Sequence, residues 1–277
     1  MKVLVVDIGG TKIKILASGR RQPRKFPSGP MMTPEKMVSG VIRIAQDWDY
    51  DVVSIGYPGP VFHGAPVSEP HNLGIGWVGF DFRRAFHRPV KVINDAAMQA
   101  MGSYKGQKLL FLGLGTGLGS TLIIDGIVVP LELGHLPYKD ATYEDYVGVR
   151  GLKKFGVKKW RRYVADIVAR LIAALQPDDV VLGGGNVKKL KTLPPGCRAG
   201  ANPNAFLGGF RLWENGRRPK LHLSESSLPN SNRKRQGQKR EKSQRIARTT
   251  KRDSIMERVG NPWSRDPQIP SSRPLPR

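Results

Sequence analysis

The sequence predicts an α/β fold on three observations. Short runs rich in Val, Ile and Leu, bounded by Gly, Pro or Asp, recur along residues 1–214 and read as strands. Stretches with apolar residues at three- and four-residue spacing lie between them and read as helices. Two of the strand-like runs, Val3-Leu4-Val5-Val6 and Leu109-Leu110-Phe111-Leu112, lead into glycine turns, Asp7-Ile8-Gly9-Gly10-Thr11-Lys12 and Gly113-Leu114-Gly115-Thr116-Gly117-Leu118-Gly119.

Taken in order, the expected strands are Lys2–Val6, Lys12–Ala17, Asp51–Gly56, Val90–Ile93, Leu109–Leu114, Ser120–Ile124 and Asp179–Leu182. Thr33-Pro34-Glu35 has the form of a helix start: a hydroxyl cap, a proline in the first turn and an acid near the positive end of the dipole. Met37, Val41, Ile44, Ala45 and Trp48 then share one face. Ala96–Tyr104 is a helical run directly behind the strand Val90–Ile93. Trp160, Val164, Ile167, Val168, Leu171, Ile172 and Leu175 mark a longer helix. These stripes are core and carry no chemistry.

The chain has 277 residues, 39% of them hydrophobic, which allows a globular core. It has no run of about 18 apolar residues, the length a membrane helix needs. An acid at Asp7 comes too early for a signal peptide. The single cysteine, Cys197, excludes an internal disulfide and a cysteine-built zinc site. A cytoplasmic protein without membrane contact is the expectation. The net charge of +24 points first to nucleic acid, but residues 215–277 hold 17 Lys and Arg against 5 Asp and Glu. That segment lacks the apolar surface to offset an ordering entropy of about 1–2 kcal/mol per residue. It is expected to be a disordered basic tail, an extension rather than a functional arm, and nucleic acid is an expected partner only through it.

A glycine turn after a strand lets backbone N–H groups approach phosphate oxygens. Thr11 and Thr116 can add hydroxyl donors. Asp7 repels a bare phosphate but suits Mg²⁺ or its waters. Taken alone, each turn serves equally well as a tight hairpin. Neither has the Walker A pattern, nor the Rossmann glycines opening a helix. Both join strand to strand, a weak internal repeat. Asp95, where a strand passes into a helical run, reads either as a helix cap or as a carboxylate base facing a cleft. Glu132 and His135 read either as a helix start with a surface histidine or as a pair reaching for hydroxyls.

Seven short segments, in order over about residues 2–213, resemble the ROK (repressor, open reading frame, kinase) sugar kinases of the actin-like ATPase superfamily. Asp7–Lys12 resembles their first phosphate loop and Leu114–Gly119 their second. Gly183-Gly184-Gly185-Asn186 is similar to the glycine turn near the adenosine. Asn94-Asp95 resembles the pair that holds the sugar and supplies the catalytic base. Glu132-Leu133-Gly134-His135 is similar to the Glu-x-Gly-His sugar motif. His71-Asn72-Leu73 with Trp77, and the turn Tyr57-Pro58-Gly59-Pro60, resemble segments beside the sugar.

The resemblance implies a two-lobed actin-like (ribonuclease H-like) fold, with an N-terminal lobe over 1–105, a C-terminal lobe over 106–214 and the tail over 215–277. It implies phosphoryl transfer from ATP or polyphosphate to a hexose, glucose first, by a homodimer. The donor and its Mg²⁺ fall to Asp7 (through water), Gly9, Gly10, Thr11, Lys12, Gly115, Thr116, Gly117, Gly183, Gly184, Gly185 and Asn186. The sugar falls to Gly59, Asn72, Asn94, Glu132 and His135, with Asp95 as base. Most members follow the histidine with a cysteine-rich zinc loop. Here Leu136-Pro137-Tyr138-Lys139-Asp140 follows, so no zinc is expected. The polyphosphate glucokinases, which the shortened core resembles, lack that loop too. Glu144 is the expected substitute for a further sugar-contacting glutamate. A repressor reading needs a DNA-binding segment ahead of Asp7, for which the sequence has no room. The alternative function is an idle kinase-like protein binding nucleic acid or another polyanion through its tail. Asp95 together with both loops argues against it. The run Lys188-Lys189-Leu190-Lys191 reads as a solvated face or as a contact for a long polyanion.

Overall fold

The computed structural model describes residues 1–201 and 203–214; the basic tail expected over 215–277 lies outside them. Two five-stranded sheets of identical topology form the frame. The first uses β1 (Val3–Ile8), β2 (Lys12–Ala17), β3 (Arg24–Pro27), β4 (Val52–Tyr57) and, after a small hairpin of β5 (Val61–Phe62) and β6 (Ala65–Pro66), β7 (Val90–Asn94), in the order β3-β2-β1-β4-β7. The second uses β8 (Lys108–Leu114), β9 (Leu118–Ile124), β10 (Ile127–Leu131) and, after a hairpin of β11 (Pro137–Tyr138) and β12 (Ala141–Thr142), β13 (Asp179–Gly183) and β14 (Cys197–Ala199), in the order β10-β9-β8-β13-β14. In each sheet three antiparallel strands pass into two parallel ones. This repeated actin-like plan puts the two glycine turns at equivalent places, closed by the pairs Ile8↔Ile13 and Leu114↔Leu118.

All seven expected strands are present. The edge strands β3, β10 and β14 had no legible signal. β3 reads Arg24-Lys25-Phe26-Pro27 and β10 contains Pro130. Charges and prolines are tolerated at sheet edges, where one side of the ladder needs no partner, and they resemble turn chemistry.

The apolar runs of β1 and β4 are buried on both faces. Leu4, Val6 and Ile8 face α1 (Pro34–Ile44), which starts at its Thr33 cap as expected and buries Met37 and Val41. Alternate residues Val3 and Val5 face α6 (Asn204–Arg211). A short helix, α2 (Phe82–Phe86), adds Phe82 and Phe86 to the α1 side. In the second sheet Leu110 and Leu112 face α5 (Val149–Leu175), preceded by α4 (Tyr143–Val147). Gly156, at φ 70°, breaks α5 into two helical stretches. Leu109 and Phe111 face α3 (Asp95–Ser103). Among the described residues no helix is long and apolar enough to cross a membrane.

α3 and α6 pack on each other with backbone in contact. A Cβ on Gly102 would lie 1.8 Å from the Asn204 carbonyl oxygen, and one on Gly208 would lie 1.8 Å from that of Met98. The next residue, Gly209, is turned to the sheet, where a Cβ would meet Val5 Cγ1 at 2.3 Å. The sequence Phe206-Leu207-Gly208-Gly209-Phe210 carries two poor helix formers, so α6 is invisible to propensity and exists because it docks. Gly102→Ala and Gly208→Ala are each expected to cost about 1–3 kcal/mol or more through overpacking. Thermal unfolding reads this as a melting point lowered by several degrees, and wild-type melting in both variants would contradict the contact.

Candidate active site

The first glycine turn is tight, with Gly9 N donating to Lys12 O at 3.1 Å. Asp7, at the end of β1, pairs with Lys14 Nζ at 3.1 Å. Thr11 and Lys12 are exposed. Asn72 stands directly over Gly10, where a Cβ would lie 3.0 Å from Asn72 Cβ. In the second turn Gly115 N donates to Gly117 O at 3.2 Å, and Val149 N to Thr116 O at 2.9 Å. Asn186 belongs to this turn: its Nδ2 donates to Gly115 O and its N to Leu114 O, both at 3.0 Å. Gly183 ends β13, and Gly184 makes the approach possible with φ 85° and a Cβ position only 2.5 Å from Leu114 O. Gly185 is exposed beside it.

Asn94, not Asp95, caps α3. Its Oδ1 accepts from Ala97 N at 3.1 Å, and its Nδ2 donates to Gly59 O at 3.0 Å, which ties the Pro58-Gly59 turn to the helix start. Asp95 is the first helical residue, and its Oδ1 accepts from Ala96 N at 2.7 Å. Asp95 keeps some contact with solvent, but protein surrounds it. Burial first, then the negative charge of Asp7, with a smaller push from Glu132, raise its carboxyl to about 7 against the opposing backbone N–H groups.

Asn94 and Glu132 share a cavity of about 350 Å³ between the two sheets, walled by Val61 and Phe62 on one side and Pro130 and Leu131 on the other. Glu132 and His135 flank the short turn Leu133–His135, their side chains 4.0 Å apart and exposed. Glu144, on α4, sits against Gly117 of the second turn, where a Cβ would meet its Oε2 at 2.3 Å, and against Gly134. Its other oxygen faces Arg150 at 3.4 Å. The cavity therefore gathers Asn94 and Glu132 near Asp95, while Gly59, Asn72, His135 and Glu144 lie outside its walls.

A family model described as the ROK family matches residues 3–151. The chain belongs to the ROK family. It is 29% identical over 209 residues to the polyphosphate glucokinase of Mycobacterium leprae, covering 66% of this chain and 63% of that protein. It is 30% identical over 142 residues to the N-acetylmannosamine kinase of Vibrio vulnificus, covering 45% of this chain and 48% of the relative. Its fold is similar to the inorganic polyphosphate/ATP-glucomannokinase of Arthrobacter sp. strain KM, with a TM-score of 0.64 at 24% identity over 75% of this chain and 96% of that one.

Several residues that shape the site in this ROK protein carry no sequence signal. Ser28 straps the first turn, its N donating to Thr11 O at 3.0 Å and its hydroxyl to Gly9 O. Buried Ser120 ties Leu131 O at 2.7 Å to Leu133 N at 3.0 Å, fixing the approach to Glu132. Glu69 accepts from Trp77 N and Val78 N, each at 3.1 Å, and closes the segment that carries Asn72. Burial opposes its ionisation, but N–H donation from Trp77, Val78 and Gly76 outweighs it and holds the carboxyl below its usual range. Each is a lone polar residue whose partner lies beyond its own element.

The raised carboxyl of Asp95 carries a stability signature. Between its ordinary value of 3.8 and about 7, the folded protein holds a proton that the unfolded chain has released. Its contribution to stability therefore falls as pH rises through that window. Asp95→Asn keeps the acceptor oxygen and removes the charge. Its melting point is expected to match wild type near pH 4, exceed it increasingly up to pH 7, and hold a constant margin above. Equal melting points at pH 8 would contradict the buried charge.

Proposed function

We propose that this ROK protein is a sugar kinase that transfers a phosphoryl group from ATP or polyphosphate to a hexose hydroxyl, with glucose the leading acceptor. The observation that carries the reading is Asp95, a carboxyl raised to about 7, beside the cavity between the sheets. Such a group accepts a proton near neutral pH, as an acceptor hydroxyl requires. Asn94 and Glu132 line the cavity that takes the acceptor, and Gly59, Asn72, His135 and Glu144, outside its walls, are the further residues assigned to the sugar. Backbone N–H groups of the two glycine turns and the Gly183–Asn186 turn hold the donor, with Thr11, Lys12 and Thr116 adding side chains.

Among the described residues no three His, Cys, Asp or Glu side chains gather to hold a metal. Magnesium would fit as an ion carried by donor phosphates, with Asp7 the residue to hold it through water, and it would supply charge neutralisation there. The repulsion between Asp7 and Asp95 favours a cation at that place. Glucose leads because the match to a polyphosphate glucokinase, 209 residues, is longer than the match to an N-acetylmannosamine kinase, 142 residues.

Purified protein assayed with glucose, mannose and N-acetylmannosamine, each against ATP and polyphosphate, is expected to phosphorylate glucose. No product with any pair would defeat the proposal. Asp95→Asn is expected to lower turnover by about 10²–10⁴-fold. In wild type, kcat/KM should climb with pH to a plateau above about 7, since the base acts deprotonated.

A further inference from the structure

Among the described residues Phe62 is the only Phe, Tyr or Trp that is exposed, at 66%. It sits at the tip of the β5–β6 hairpin, paired with Ala65. The connecting residues His63 and Gly64 have φ of 49° and 77°, both positive, as the tight two-residue hairpin turn requires. The His63 ring lies against the Phe62 ring, with 4.1 Å between centroids, and restricts its rotation. The hairpin is also held at its base. Val67 N donates to Pro60 O at 3.2 Å, and buried Tyr57 donates through Oη to Ser68 O at 2.8 Å. Asn94 Nδ2 donates to Gly59 O at 3.0 Å. The ring is therefore presented on a mount fixed to the start of α3, where Asp95 stands.

Phe62 lines the cavity between the two sheets. Most of that lining is apolar: Pro60, Val61, Phe62 and Val67 come from the hairpin segment, Pro130 and Leu131 from the end of β10. Asn94 and Glu132 are its only polar members. Small-molecule sites commonly have this form, with apolar walls for affinity and a few polar groups for orientation. A hexose matches it, since hydroxyls project around its rim and C–H groups make up its flat faces. An aromatic ring suits such a face, because its negative π cloud attracts the weakly positive hydrogens while both surfaces leave water.

We propose that Phe62 is a sugar-binding residue whose ring packs on a C–H face of the acceptor hexose, across the cavity from Leu131, while Asn94 and Glu132 take hydroxyls at the rim. It deepens the kinase reading and rests on it for the class of ligand. None of the residues otherwise assigned to the sugar carries an apolar side chain. Their hydrogen bonds replace bonds to water, which limits the net gain from each. The ring supplies affinity of a different kind, through area removed from water.

The test is calorimetric titration of glucose, and of mannose, into the full-length protein without a phosphoryl donor. Phe62→Ala is expected to raise Kd at least about tenfold, and Phe62→Leu, which keeps apolar bulk without a ring, about threefold. Phe62→Tyr keeps the ring and is expected to stay within about twofold of wild type. In turnover assays the loss should fall on KM for the sugar and leave KM for the donor unmoved, as removal of a ground-state contact does. Melting points should match wild type, since the side chain stands outside the core. Sugar binding by Phe62→Ala equal to wild type would overturn the platform. So would Phe62→Tyr losing as much affinity as Phe62→Ala. Either result in an enzyme that still phosphorylates a hexose removes the platform alone. A wild type that binds neither sugar and forms no product removes the kinase reading with it.

Discussion

The backbone contact between α3 and α6 is the constraint on which the cleft depends. α3 begins at Asp95 behind its Asn94 cap, runs beneath the second sheet and, in its last turn, sets Gly102 against Asn204. α6 lies under the first sheet and returns the contact through Gly208. At these two points backbone meets backbone, with no side chain between to take up a shift. The polar closure is equally direct. Arg211 donates to Met101 O and Tyr104 O, Arg198 to Ser103 O, and Asn204 Nδ2 to Ser103 Oγ at 2.8 Å. The arginine bonds satisfy carbonyls at the C-terminal end of α3, with positive charge where the dipole favours it. Asp95, at the start of α3, is therefore positioned by a junction closed through both backbone and polar contacts.

Charge is divided between two regions. Asp7, Asp95 and Glu132 bring three carboxylates into one field, and Lys14 answers only the first. The cations of α5 and the Val187–Lys189 turn form a separate basic surface, next in sequence to Asn186, which binds the second glycine turn.

The segment from His135 to Glu144 is held by aromatic packing. Tyr138, Tyr146 and Tyr163 meet edge to face, and Tyr146 stacks on Phe155 at 5.0 Å. Lys139 Nζ lies 4.8 Å over Tyr163, and Tyr146 Oη donates to Asp140. Thr142 and Asp145 form a capping box at the start of α4. Burial among rings and cross-links to α5 orient Glu144 from behind, so this part of the cleft is fixed by core packing.

Much of this was legible. The apolar runs of the central strands, the Thr33 cap and the α5 stripe are local patterns, and they appear where the periodicity put them. The glycine turns and the order of the short segments led to the ROK resemblance that the family match bears out. Three of the four edge strands, β3, β10 and β14, escaped because edges tolerate the residues of turns. α6 escaped because its glycines oppose helix formation and are explained only by what they touch. At the site, Asn94 and Asp95 were legible as a pair, but their division of labour was not. Asn94 takes the capping bond and leaves Asp95 only the bond from Ala96 N, and that depends on the φ and ψ of a single junction. Asn72 over Gly10, Asn186 on Gly115 and Glu144 on Gly117 are meetings of distant segments. By itself the sequence determined the succession of strands, turns and helices, and with it the family. Only the tertiary structure decided which backbone touches which, because a glycine's missing side chain records that something comes close and not what.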